Sequence, residues 1–493
     1  MLLLGLDIGS SSVKAALVDA KTGATLGSVF SPETEMDIIA SHPGWAEQHP
    51  EVWWDNVCKA VHKLLQKTQA NPSEIAAIGI SYQMHGLVTI GADGAPVRPA
   101  IIWCDSRAVS IGDTAFRDIG ETYCLEHYLN GPGNFTASKL KWVKDNEPEH
   151  YAQIRYFMLP GDYIAFRLTG EVCTTVTGLS EGILWDFAEN KVASELLNYY
   201  GIERDLIPTV SANFENQGRL TQTAADALGL KPGVPVTYRA GDQPNNALAL
   251  NALRPGEIAA TGGTSGVVYG VVDQLVSDAQ NRVNSFAHVN HRVEAPRIGV
   301  LLCINGSGIQ YSWMRRQMAQ EGISYNDMEQ LAATTLVGAD GLCIIPFGNG
   351  AERMLGNQNI GAQILNLHFN RHNRAHFYRA ALEGVAFSFV YGMKILRSLG
   401  LELSIMRVGN DNLFQSNIFA STIAELLNCR IEMIETTGAV GAAIASGVGI
   451  GLWSDPGEGL GAQHRVKIYE PGNAVGPYST AYEQWATYLD KAI

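Results

Sequence analysis

A chain of 493 residues is too long for one hydrophobic core of ordinary size, so two or more domains with a ligand cleft between them are expected. Its formal net charge of -14 excludes a general nucleic-acid or anionic-membrane surface, because both need excess Lys and Arg against phosphate. The first apolar run has no basic segment before it and is broken by Asp7, which excludes a signal-sequence core or a membrane span, and the seven scattered cysteines fit reduced thiols in the cytoplasm.

Residues 2–8, 12–19 and 24–30 read as three antiparallel strands. Asp7 leaves the first strand where Gly9 lets a ligand approach the backbone, a place suited to holding hydrated Mg²⁺ beside phosphates. Gly9, Ser10, Ser11, Ser12 and Lys14 would supply donors there. The plainer alternative is a surface hairpin that happens to carry an acid. Residues 50–69 then show helical spacing at Val52, Val57, Val61, Leu64 and Leu65, with Pro50 in a first turn. Residues 75–80 form a buried strand that delivers Gln83, Met84, His85 and Gly86.

The opening theme restarts near Val236. Another apolar strand ends in Asp242, with a helical run from Ala247 to Leu253. A third strand runs through Glu257–Thr261 into the turn Gly262-Gly263-Thr264-Ser265 and on to a fourth. This is a pseudo-duplication with a boundary near 243, one phosphate turn coming from each side of the cleft. Further on come a helix from His376 to Leu399, a strand at 405–408, a turn at Gly409–Asn412, a helix from Leu413 to Leu427, a strand at 430–434 and a helix from Ala439 to Gly447. Gly409-Asn410 and Gly438-Ala439 are places where a backbone can approach a flat ring such as adenine.

Asp7-Ile8-Gly9 resembles the first phosphate motif of the actin-like ATPase superfamily. Gly44-Trp45-Ala46-Glu47-Gln48-His49-Pro50, Trp53-Trp54, Gln83-Met84-His85-Gly86 and Trp103-Cys104-Asp105-Ser106-Arg107 narrow this to the FGGY carbohydrate kinases, the Met-His-Gly element being similar to the xylulokinase branch. The resemblance runs over nearly the whole chain. It implies an α/β protein of two actin-like ATPase (ribonuclease H-like) domains, 1–243 carrying the sugar side and first phosphate hairpin, 244–493 carrying the nucleotide side.

The resemblance also implies roles. Asp242 is the catalytic base, where a helix-capping role is the competing reading. Met84, His85, Gly86, Trp103, Asp242 and Gln243 face the sugar, with Trp103 as a floor and Gly86 allowing the turn that points Met84 and His85 inward. Gly262, Gly263, Thr264 and Ser265 surround the γ-phosphate of ATP. Asp7 and Asp242 deal with Mg²⁺, while Gly409 and Asn410 approach the adenine. Relatives carry a glycine-rich run at the last place, and here Asn410, Asp411 and Asn412 replace it. Asp105 and Arg107 read as a pair holding their loop, Trp45, Glu47 and Gln48 as fixing the start of the Pro50 helix, and Asp162 as scaffold.

The expected activity is transfer of the ATP γ-phosphate to a ketopentose hydroxyl, D-xylulose first, with sugar and ATP as small-molecule partners and, by analogy, a homodimer. Other readings are an FGGY kinase for ribulose, a deoxy-ketose, a polyol or a sugar acid, an actin-like ATPase that uses nucleotide as a switch, and a non-catalytic sugar sensor.

Overall fold

A computed structural model describes residues 1–461, 464–473 and 475–493. Strands β1 (Leu2–Ile8), β2 (Val13–Asp19) and β3 (Thr25–Ser31) pair antiparallel, and helix α1 (Pro50–Thr68) buries Trp53, Val57, Val61 and Leu64 against them. Strand β4 (Ile75–Tyr82) lies parallel to β1. A long excursion with helices α2 (Thr136–Asn146), α3 (Pro160–Thr169) and α4 (Val176–Glu181) precedes β5 (Val236–Gly241), which completes the sheet in the order β5-β4-β1-β2-β3. Helix α5 (Asp242–Ala249) links this sheet to the next.

The second sheet comprises β6 (Glu257–Gly262), β7 (Gly266–Val272), β8 (Asn284–Ala287) and β9 (Ile298–Ile304), followed by helices α6 (Gly308–Gln317) and α7 (Arg374–Ser398). It continues through β10 (Ile405–Gly409), α8 (Asn417–Leu427), β11 (Ile431–Ile434), α9 (Gly438–Gly449) and β12 (Arg465–Tyr469). Its order is β8-β9-β7-β6-β10-β11-β12. With the edge strands β8 and β12 set aside, both sheets share one plan. Three antiparallel strands are followed by two that lie parallel to the first, on its other side. The duplication expected from the repeated strand, acid and turn is therefore a duplication of topology.

Two helices start elsewhere than their apolar spacing suggests. The run placed at 247–253 begins at Asp242, because Gly241 stands extended at the cap position and an acid and a proline both suit a first helical turn. The helix placed at 413–427 is split. A short 3₁₀ turn covers Asn412–Gln415, and α8 starts afresh where the Ser416 hydroxyl accepts from the Phe419 amide.

Helix α9, from the second half, packs across β1, β4 and β5 of the first sheet. The approach needs bare backbone: a Cβ on Gly5 would lie 1.8 Å from the Ala439 carbonyl oxygen, and one on Gly79 would lie 1.9 Å from that of Ala442. This close docking brings Gly438, the first residue of α9, onto the Asp7 carboxylate at the end of β1.

Candidate active site

The parallel strands β1, β4 and β5 all end on the same side of the first sheet, and their ends bring Asp7, the Gln83–Gly86 segment and Asp242 together. Asp7 Oδ1 accepts from the Ser81 hydroxyl at 2.9 Å, and Lys14 Nζ stands 3.9 Å from Oδ2. The following turn is closed by the Gly9 amide, which donates to the Ser12 carbonyl at 3.0 Å. Gln48 Nε2 donates to the Ser10 carbonyl at 2.7 Å, and its own Oε1 accepts from Trp53 Nε1. Gln48 thus ties the Gly9–Ser12 turn to α1.

Asp242 is the first residue of α5, with Gly241 at the cap position, and its carboxylate meets the backbone amide of Gln243 in that first turn. It keeps partial access to the cleft while protein surrounds it closely. Burial, and then the charge on Asp7, push its carboxyl up to about 7, against the Gln243 backbone amide and Lys14, which favour the anion. A pKa near neutrality suits a general base.

Met84 packs on the backbone of Gly241, and Gln83 is buried with both ends of its amide unpaired among the described residues. Such a group is ordinarily satisfied by water or ligand. His85, rather than Gly86, takes the left-handed conformation that turns this segment, with φ of 62°. Gly86 serves differently, since a Cβ there would meet the Pro160 ring at 2.6 Å. The His85 ring lies 4.8 Å from Phe135 and 5.3 Å from Phe286, centroid to centroid. Burial, reinforced by the charge on Lys139, lowers its pKa to about 3, so the imidazole is neutral. Its Nδ1 lies 2.9 Å from the Glu181 carbonyl oxygen, an acceptor only, so Nδ1 carries the proton and Nε2 is left as an acceptor.

Trp103 was expected beneath the sugar. It is 54% exposed and donates from Nε1 to the Ser10 hydroxyl at 3.3 Å, which puts it beside the Gly9–Ser12 turn. Asp105 and Arg107 form the loop-holding pair, buried and bidentate, and Arg107 also reaches Glu47 at 2.7 Å and lies over Trp45. Asp162 is buried beside Arg239 and accepts from the Leu159 amide at the start of α3, a scaffold role.

Across the cleft, a cavity of about 650 Å³ is lined on one side by Gly262, Gly263 and Thr264. The start of α6 braces that turn, the Gly308 and Ile309 amides donating to the carbonyls of Gly263 and Thr264 at 2.9 and 3.0 Å. Ser312, Tyr325 and Glu329 line another wall, and Asn412, Gln415 and Ser416 close it. Gly409 and Asn410 do not border it. The Asn410 amide turns instead to the Glu435 carboxylate at 2.7 Å, and Gly438 faces Asp7 rather than the cavity. Asn412 takes a φ of 57°, so an asparagine supplies the left-handed turn at the replaced glycine run. The α6 wall was not foreseen, although Gly306-Ser307-Gly308 between a strand and a helix is a signal for exposed backbone donors.

Among the described residues no cluster of three or more His, Cys, Asp or Glu forms a metal cage. Two acids drawn together, with Lys14 the cation beside them, suit instead a hydrated Mg²⁺ that arrives with phosphates and keeps its waters. All seven cysteines are unpaired, and no described helix is long and apolar enough to cross a membrane.

Residues 2–249 match the N-terminal domain, and 258–450 the C-terminal domain, of the FGGY family of carbohydrate kinases. A xylulose kinase of Staphylococcus epidermidis is 30% identical over 479 residues, 96% of this chain and 92% of its own. A glycerol kinase of Thermococcus gammatolerans is 26% identical over 504 residues, covering 100% of this chain and 98% of its own. The crystal structure of xylulose kinase from Rhodospirillum rubrum superposes with a TM-score of 0.90 at 24% identity, covering 100% and 99% of the two chains, a likeness of fold.

Proposed function

This chain belongs to the FGGY family of carbohydrate kinases, two actin-like ATPase domains that transfer phosphate from ATP to a sugar, and we propose that its acceptor is D-xylulose, phosphorylated at the terminal hydroxyl to D-xylulose 5-phosphate. The observation that carries the reading is the meeting of Asp242, with its carboxyl near neutrality, and the neutral, tautomer-fixed His85 at adjacent strand ends.

Asp242 takes the proton of the attacking hydroxyl. The hydroxyl oxygen then bonds to the γ-phosphorus as the bond to the β–γ bridging oxygen breaks, and ADP leaves. His85 Nε2 accepts from another sugar hydroxyl, with Gln83, Met84, Gly86 and Gln243 completing that side. Lys14, Gly9 and the hydroxyls of Ser10, Ser11 and Ser12 meet the phosphates from one wall, the Gly262–Ser265 turn from the other. Asp7, with Asp242 beside it, would hold Mg²⁺ through its waters; the ion supplies charge neutralisation on the phosphates. Closure of the cleft excludes water, without which the same groups hydrolyse ATP.

In this reading residues 1–243 supply the sugar pocket and first phosphate turn, 244–493 supply the nucleotide cavity, and α5 joins them. The unpaired cysteines support a cytoplasmic enzyme, and a homodimer is proposed by analogy alone.

Phosphorus NMR of the product formed from D-xylulose and Mg·ATP tests the assignment. A single 5-phosphate monoester is expected. A 1-phosphate, or inorganic phosphate alone, would overturn it.

A further inference from the structure

The start of α2 touches the His85 segment at three successive points. The Phe135 ring packs on the imidazole, the Thr136 hydroxyl donates to the Gly86 carbonyl at 3.3 Å, and Lys139 Nζ donates to the His85 carbonyl at 2.8 Å. Lys139 makes a second hydrogen bond, to the Ile102 carbonyl at 3.0 Å, immediately before the Trp103-Cys104-Asp105 loop. Its side chain has no solvent exposure.

Nothing about the helix favours a lysine there. An ammonium in the first turns opposes the helix dipole, and a fully buried one loses its hydration. The two hydrogen bonds go to backbone carbonyls of two different loops, so the ammonium supplies what no apolar side chain could: a joint between them. One of those carbonyls belongs to His85, a non-glycine residue in the left-handed region, a conformation that persists only where its surroundings fix it. Asp105, Cys104, Arg107 and Glu181 are the ionisable groups whose fields reach Lys139, and burial draws its pKa down to about 7.

We propose that Lys139 is a positioning residue for sugar recognition, clamping the His85 turn to the Trp103 loop and so fixing the orientation of the imidazole that meets the sugar hydroxyl. The inference rests on the reading of His85 as a sugar contact.

The test is steady-state kinetics of Lys139→Met, Thr136→Val and His85→Ala in the full chain, with D-xylulose and Mg·ATP varied separately. Methionine keeps the stem and removes both donors. The sugar KM of Lys139→Met should rise roughly tenfold, the size of a lost charged hydrogen bond, while the ATP KM stays within about twofold. Thr136→Val is the milder break of the same seam and should raise the sugar KM about threefold, which keeps the question open to an answer should the methionine variant not fold. A sugar KM unchanged in both variants, or sugar and ATP KM rising together, would overturn the clamp. If His85→Ala also leaves the sugar KM unchanged, the reading of His85 has failed; if it raises that KM while Lys139→Met does not, only the clamp has failed.

Discussion

Asp242 shares its pocket with Asp7, and burial together with the Asp7 charge pushes the Asp242 carboxyl up to about 7. A base must be ionised to take a proton, so kcat/KM should rise about tenfold per pH unit below this value and level off above it. Asp7→Asn removes the neighbouring charge and should move the midpoint of its residual activity downward. A rate profile flat from pH 5 to 8 would contradict the base assignment.

Asp242→Asn separates catalysis from stability. Turnover should fall by roughly 10²–10⁴, the usual span for a positioned base. The sign for stability is the opposite. A carboxyl whose pKa is raised on folding adds stability below its ordinary pKa, and that stability is lost as pH climbs through about 7. The asparagine variant should therefore melt higher than the parent at pH 8, and the difference should close near pH 4. Thermal melts at the two pH values check this.

Gly5→Ala would force a methyl against the Ala439 carbonyl, 1.8 Å from the ideal Cβ position. Helix α9 must then lift from β1, at a cost of about 1–3 kcal/mol or more by analogy with overpacked cores. Denaturant unfolding measures it, and a variant as stable as the parent would show that α9 does not dock this closely in solution.

Filling the cavity across the cleft should act on nucleotide alone. Ser312→Trp, on a lining residue of α6, should raise the ATP KM by roughly tenfold or more and leave the affinity for D-xylulose near its original value. Calorimetric titration with each ligand separates the two.

Asp105→Ala breaks a buried ion pair whose other member, Arg107, lies over the Trp45 ring and also meets Glu47. Removing one partner of such a pair costs about 3–5 kcal/mol. The loss should appear in the unfolding free energy, measured by denaturant titration, and a variant as stable as the parent would contradict it.

The duplicated plan was legible because each half begins with a strand, an acid and a small-residue turn, and strand periodicity placed β1–β4, β10 and β11 to within about two residues, whereas β8, β9 and β12 were not anticipated. That Asp7, Met84, His85 and Asp242 lie at strand ends was legible from the apolar runs before them, while a sugar role for Met84 and His85 came from the family resemblance alone. What escaped notice was set by distant contacts. Phe286 reaches His85 from β8 of the other half and Lys139 reaches it from α2, two elements the apolar spacing did not identify. The cavity wall moved from Gly409 and Asn410 to Asn412–Ser416 because the 3₁₀ turn carries the chain past the strand end before α8 begins. No local pattern signals that step.

The most direct measurement is ADP release from Mg·ATP over a panel of ketoses, aldoses, polyols and sugar acids, with a sugar-free control. Fast turnover with D-xylulose, weak turnover with glycerol and ribulose, and near silence without sugar is the expected result. Turnover independent of sugar, or confined to a different acceptor, would contradict the assignment of this cleft to D-xylulose.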